Sequence, residues 1–168
     1  EFKVYDTLKE LASKNKVYKT ILRGAGVEHH YIPSVVKQLS NREEFVSAYT
    51  PYQSELSQGI LQSIFEYQSS MCEITGMDVC NASVYDGATA AAEAIQMVIE
   101  KNKRKILVPK NLHPQVVHVM RTYTQWLNIE MIDVECKEGV VDQEDLKAKL
   151  DSSCAALFIQ HPNYFGCL

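Results

Sequence analysis

Apolar residues along the N-terminal part of the chain change their spacing at short intervals, and each change predicts a separate element. They recur at helical spacing over residues 3–14 and predict a first helix. Residues 17–22 are rich in β-branched and aromatic side chains and predict a short strand. Pro33 is suited to the first position of a helix, and predicts a short one that runs to Leu39.

The remaining chain alternates between helical stripes and short apolar runs. The helices are predicted over 57–75, 87–100, 114–127 and 142–150, and the strands over 105–109, 129–134 and 155–160. The stripe in residues 57–75 predicts a helix that faces the core. From residue 105 the order is strand, helix, strand, helix, strand, which predicts an α/β fold: a mostly parallel sheet, with right-handed crossovers, flanked by helices.

The composition is that of an ordinary globular protein and excludes two classes of function. Of the 168 residues, 46% are hydrophobic and 23% are charged. The formal net charge is -4, which argues against a nucleic-acid surface, because such a surface needs clustered Lys and Arg. No apolar run is long enough to span a bilayer, so we expect no membrane partner.

Cysteine and histidine residues are too scattered to predict a metal site. His29 and His30 are adjacent, so their side chains point apart on any regular element, and no third ligand lies at useful spacing. The cysteines match no zinc pattern and mostly lie in apolar runs, which favours a reduced, intracellular protein. They are Cys72, Cys80, Cys136, Cys154 and Cys167.

The start of the helix predicted over 87–100 has two interpretations. Asp86 is a natural N-cap, and Gly87, Ala88 and Thr89 carry the first free backbone N–H groups. Such a helix end can hold a phosphate. The other interpretation is a plain capped helix, and Asp86 favours it, because a carboxylate at the cap would repel a phosphate.

The carboxyl ends of the predicted strands are the expected ligand edge of a parallel sheet. They carry residues 110–113, 135–137 and 161–163. Within the first of these segments, His113 directly precedes Pro114, which predicts that His113 lies at the start of the helix over 114–127.

Residues 49–53 form a loop that is fixed by a proline. Thr50 precedes that proline, so the loop is extended. Tyr49 and Tyr52 either pack with their hydroxyls at the surface or line a pocket, and their spacing alone favours packing.

Four segments taken together resemble one family. They are GAGVEHHYIP, AYTPYQSELSQGILQSIFEYQSSMCEITGMDVCNASVYDGATAAAEA, NLHPQ and QHPNYFG, and they extend from about Gly24 to Gly166. They are similar to subunit 1 of glycine dehydrogenase (decarboxylating), the P-protein of the glycine cleavage system. The sequence of residues 85–89 resembles the two-subunit bacterial form more than the single-chain form.

The resemblance implies a pyridoxal-phosphate enzyme of fold type I, in the cytoplasm. The family decarboxylates glycine and passes the remaining aminomethyl group to the lipoyl arm of the H-protein. In the two-subunit form, a heterotetramer, the cofactor lysine belongs to subunit 2. Subunit 1 is a similar fold without that lysine, and it helps to form the active site at the subunit interface.

The resemblance also implies roles for particular residues. Gly87, Ala88 and Thr89 correspond to a phosphate cup, His113 to a ring-stacking side chain, and Asn163 to a turn beside the cofactor. The lysine and the acid that hold the cofactor would lie after Leu168. We therefore expect these five residues to be relics of a cofactor site rather than residues that contact a cofactor. We also expect no cofactor to be bound covalently to this chain. We expect the loop over residues 49–53 to face the active site of subunit 2. Its candidate contact residues are Tyr49, Thr50, Tyr52 and Gln53.

Two domains are expected: an N-terminal helical or extended arm over 1–45, and the first part of an α/β large domain over 46–168. Because the chain stops in an apolar segment, we expect a longer protein and an apolar surface that awaits a partner. A non-catalytic scaffolding paralogue is the competing function. An unrelated nucleotide-binding domain is disfavoured, because the sequence has neither a G-x-G-x-x-G after a strand nor a Walker A motif.

Overall fold

The computed structural model describes residues 1–24, 26 and 29–168, and the chain divides into two units. Ala25, Val27 and Glu28, in the GAGVEHHYIP segment, lie outside the described residues. The first unit, Glu1–Ile32, contains helix α1 (Phe2–Ser13), which confirms the first predicted helix.

The strand predicted over residues 17–22 is wrong. These residues are irregular, and Val17 and Leu22 are 91% and 96% exposed. A strand needs hydrogen bonds from a neighbouring strand, and the described part of this unit contains none. The β-branched residues therefore have no pleated surface on which to pack.

The second unit, Pro33–Leu168, contains the remaining helices. They are α2 (Ser34–Ser40), α3 (Gln58–Thr75), α4 (Gly87–Val98), α5 (Pro114–Thr124) and α6 (Gln143–Lys149), with single 3-10 turns at Glu43–Phe45 and Ser54–Leu56. Local chemistry explains several ends. Asp86 and Asp142 accept N-terminal hydrogen bonds, and Gly76 ends α3 with a left-handed φ of 71°.

A three-stranded parallel sheet forms the centre of this unit. Its order is β2–β1–β5, with β1 at Lys105–Pro109, β2 at Glu130–Val134 and β5 at Cys154–Leu157. Four of the five β1 residues are buried, as expected of a central parallel strand covered on both faces. The predicted α/β class and its three parallel strands are thus confirmed, although β5 ends three residues early.

A small antiparallel hairpin joins β2 to α6, and the sequence pattern did not predict it. It pairs β3 (Cys136–Lys137) with β4 (Val140–Val141). Glu138 and Gly139 form its turn with φ of 51° and 83°. Two consecutive positive φ values are typical of a type I′ hairpin turn.

Helices α4 and α5 cover one face of the sheet and form the core with it. The small residues of α4 let the two helices approach closely, since Ala91 and Ala92 are 6% and 0% exposed. The buried cluster comprises Ala91, Ala92, Ile95, Ile106, Val108, Leu112 and Met120.

Helix α3 differs from its predicted core-facing position. It contains no buried residue, and Phe65 and Ile74 are 64% and 77% exposed. Its apolar stripe is nonetheless partly buried, at Ile60, Ile64, Met71 and Cys72. The Gln68 side chain also donates a hydrogen bond to the Cys80 carbonyl. In the part of the chain that the structure describes, the outer edges of β2 and β5 are also unpaired, and no helix has the length and apolar character needed to cross a membrane.

Candidate functional site

The start of α4 is a closed N-cap. The Asp86 carboxylate accepts a hydrogen bond from the Thr89 backbone N–H at 2.8 Å, and hydrogen bonds from Thr89 hold the pKa of Asp86 below its usual value. A negative charge therefore occupies the positive helix end at neutral pH. An anion placed at the N–H groups of this first turn would meet the carboxylate.

His113 is held at the start of α5 by contacts from three directions. Its backbone N–H donates to Gln160 Oε1 at 2.9 Å, and its Nδ1 accepts from the Gln115 N–H at 3.2 Å. The Tyr164 ring meets the imidazole edge-on, with centroids 5.2 Å apart. Because Nδ1 is an acceptor, the neutral ring carries its proton on Nε2. Pro114 at the first helical position confirms the predicted helix start.

Most of the hydrogen-bonding capacity of the Asn163 side chain is taken up by other residues of this chain. Its Oδ1 accepts from the backbone N–H groups of Phe165 at 2.9 Å and Cys167 at 3.1 Å, and its Nδ2 donates to the Gly139 carbonyl at 2.8 Å. The residue follows the cis peptide bond between His161 and Pro162. An amide has two donor hydrogens and two acceptor lone pairs, so one N–H remains for any ligand.

Asn111 completes this carboxyl edge of the sheet, and sequence reasoning missed its role. It is 5% exposed and its Nδ2 donates to the same Gly139 carbonyl at 3.0 Å. Its own carbonyl accepts from the Tyr164 N–H at 2.9 Å. The structure thus brings His113 and Asn163 together, as their positions after β1 and β5 predicted. In the described chain no hydrogen bond joins either of them to residues 87–89.

The loop over residues 49–53 lies open on the surface. Tyr49 and Tyr52 are 104% and 89% exposed, so neither ring packs on the residues that the structure describes. The Tyr52 N–H donates to the Thr50 carbonyl at 2.8 Å and fixes the turn. Gln53 then leads into the 3-10 turn before α3. Packing inside the chain, one of the two interpretations of these tyrosines, is therefore not what the structure shows.

Several lysines near the sheet are tied into ion pairs. Asp151 raises the pKa of Lys105 and Glu135 raises that of Lys110, in each case chiefly through a side-chain hydrogen bond. His29 and His30 are exposed, and no group of three potential metal ligands occurs among residues 1–24, 26 and 29–168.

The described part of the chain has two open grooves, of about 280 Å³ and 620 Å³. The smaller borders α5, where Arg121 pairs with Asp133. The larger lies at the amino end of the sheet, around Arg104 and Lys105. Neither groove is lined by His113, Asn163 or the tyrosine loop, so the candidate residues have to be judged by their contacts rather than by a cavity.

Comparisons with known proteins identify relatives along the whole chain. The profile of the glycine cleavage system P-protein family matches residues 1–168. A protein of Carboxydothermus hydrogenoformans named probable glycine dehydrogenase (decarboxylating) subunit 1 is 48% identical over 171 residues, covering 100% of this chain and 38% of the relative. A protein of Syntrophomonas wolfei with the same name is 52% identical over 165 residues, covering 96% and 37%.

A solved structure is similar over nearly all of this chain. It is the crystal structure of glycine decarboxylase (P-protein) of the glycine cleavage system, in inhibitor-bound form, with a TM-score of 0.86 and 36% identity. The similarity covers 99% of this chain and 38% of that one. The chain therefore spans little more than a third of the length of the proteins that it matches.

Proposed function

Because this chain belongs to the glycine cleavage system P-protein family, we propose that the polypeptide containing it is subunit 1 of glycine dehydrogenase (decarboxylating). The family match along all 168 residues carries the proposal, and it confirms the resemblance seen in the sequence. The likeness to the P-protein crystal structure confirms the expected fold type I. We further propose that residues 1–45 are an arm and that residues 46–168 begin the large domain.

The proposed reaction is decarboxylation of glycine together with subunit 2. The remaining aminomethyl group then passes to the lipoyl arm of the H-protein. The described residues supply no complete catalytic set, so this chain alone is proposed to be inactive. A cytoplasmic location is proposed with it, and the five free cysteines support that location.

Enzymes of this family use pyridoxal phosphate, which stabilises carbanions as an electron sink. The residues of this chain do not fit the complete group. A carboxylate, Asp86, stands at the helix end where a phosphate would bind, and Asn163 has one N–H left. We therefore propose that the cofactor is carried by the partner subunit, and that Gly87, Ala88, Thr89, His113 and Asn163 are relics of a cofactor site.

The loop over residues 49–53 is the proposed contribution to the partner's active site. Its tyrosine rings are exposed, and the proline and the Thr50–Tyr52 backbone hydrogen bond restrict its conformation. A rigid loop that presents two hydroxyls can donate to a carboxylate while its rings exclude water. Gln53 adds a further amide at the base of the loop.

A scaffolding paralogue that only supports assembly is the competing function, and titration of one subunit with the other separates the two. The full polypeptide is added to subunit 2, while assembly is followed by light scattering and the pyridoxal chromophore by absorbance in the presence of glycine. Assembly with a glycine-dependent absorbance change supports the proposal. Assembly that leaves both chromophore and turnover unchanged identifies a scaffold.

A further inference from the structure

We propose that Asn111 and Asn163 act as a pair of positioning residues for His113. Both side chains donate to one backbone oxygen, the Gly139 carbonyl, at 3.0 Å and 2.8 Å. A carbonyl oxygen has two lone pairs, so these donors saturate it. The acceptor lies in the hairpin turn, where Gly139 has a φ of 83°.

The pair joins three segments that are distant in sequence: the one after β1, the β3–β4 turn and the one after β5. The two hydrogen bonds span 28 and 24 residues. Asn111 is buried, so a missing partner would leave its amide without water to replace it. The pair therefore fixes the segment after β5 against the segment after β1.

His113 lies where these segments meet. The Tyr164 N–H donates to the Asn111 carbonyl at 2.9 Å, and this bond holds the Tyr164 ring edge-on to the imidazole. On the other side, Gln160 accepts from the His113 backbone N–H. A shift of the segment after β5 would move both contacts together. The asparagine pair thus sets the place of the imidazole without touching it.

The Gly139 backbone adds a steric limit to this arrangement. A Cβ at position 139 would lie 3.1 Å from Cys167 Sγ, and Cys167 is itself bound to Asn163 Oδ1 through its N–H. The turn therefore approaches the segment after β5 as closely as a glycine allows. This closeness lets one carbonyl meet both amides.

Chemical modification of single histidines tests the inference in the full-length polypeptide. Diethyl pyrocarbonate modifies accessible imidazoles, and peptide mass spectrometry gives a rate for each histidine. His118, exposed on the same helix, is the internal reference. In Asn111→Ala and Asn163→Ala, the His113 rate relative to His118 should rise about fivefold, the change that one net hydrogen bond makes in an opening equilibrium. Asn102→Ala, at an exposed turn, should leave the ratio unchanged.

In the double variant, the His113 rate relative to His118 should be only slightly higher than in either single variant, because either substitution frees the same segment. Unchanged ratios in both single variants would overturn the proposal. If those variants fail to fold, Asn163→Asp decides, because it keeps the shape of the side chain and its Oδ1 acceptor but loses the Nδ2 donor to the Gly139 carbonyl. An unchanged ratio in that variant overturns the inference. The readout needs neither cofactor nor turnover, so it stands apart from the proposed function.

Discussion

Met120 provides a quantitative test of the packing between α4, α5 and the sheet. Its side chain is 0% exposed within the buried cluster that includes Ile95 and Ile106. Met120→Ala removes Cγ, Sδ and Cε. At about 0.8 kcal/mol for each buried methylene-sized group, the lost transfer free energy is about 2 kcal/mol. Incomplete collapse of the cavity adds about 1 kcal/mol, for a total of about 3 kcal/mol in the free energy of unfolding.

The assay is denaturant unfolding of the full-length polypeptide, followed by circular dichroism and repeated by heating. A loss of about 3 kcal/mol corresponds to a fall in Tm of about 6–12 °C for a cooperative unit of about 150–250 residues, and to a smaller fall if the longer polypeptide unfolds as one unit. Met120→Leu conserves volume and should cost less than about 1.5 kcal/mol. Met97→Ala, on the exposed side of α4, should stay within about 0.5 kcal/mol. A cost below about 1 kcal/mol for Met120→Ala would refute the assigned core.

Three further predictions concern the site and the ion pairs. In the assembled enzyme, Tyr49→Phe or Tyr52→Phe should lower kcat/KM about tenfold with little change in Tm, and intact turnover would show that the hydroxyls are not used. The Lys105 hydrogen bond holds the pKa of Asp151 below its usual value, so this carboxylate stabilises the fold at neutral pH and its contribution is lost as pH falls below about 4. Asp151→Asn should therefore flatten the acid side of a Tm–pH curve, and parallel curves would contradict this. Borohydride reduction with pyridoxal phosphate should label no lysine of this chain stoichiometrically, as checked by peptide mapping; one fully labelled lysine would refute the prediction.

Local chemistry made several helix ends predictable from the sequence. Asp86 caps α4 and Pro114 begins α5, because a capping carboxylate and a proline at the first helical position act within a few residues. The buried run of β1 was equally clear, since a central parallel strand is apolar on both faces. The positions of His113 and Asn163 after parallel strands correctly predicted that they share one edge.

Other features depend on partners that no local pattern specifies. The predicted strand over 17–22 failed because strand pairing is a tertiary property, and the described residues bury the apolar stripe of α3 only in part. The β3–β4 hairpin escaped prediction because its strands are two residues long and its turn is Glu-Gly rather than Asn-Gly. Asn111 gave no signal at all, since its partner Gly139 lies 28 residues away.

Release of labelled carbon dioxide from carboxyl-labelled glycine tests the central claim most directly. The full polypeptide that contains this chain, subunit 2 loaded with pyridoxal phosphate, and lipoyl H-protein are assayed singly, in pairs and together. We predict release only when both subunits are present, with the aminomethyl group recovered on the H-protein. Full release by subunit 2 and H-protein without this polypeptide would contradict the assignment of subunit 1.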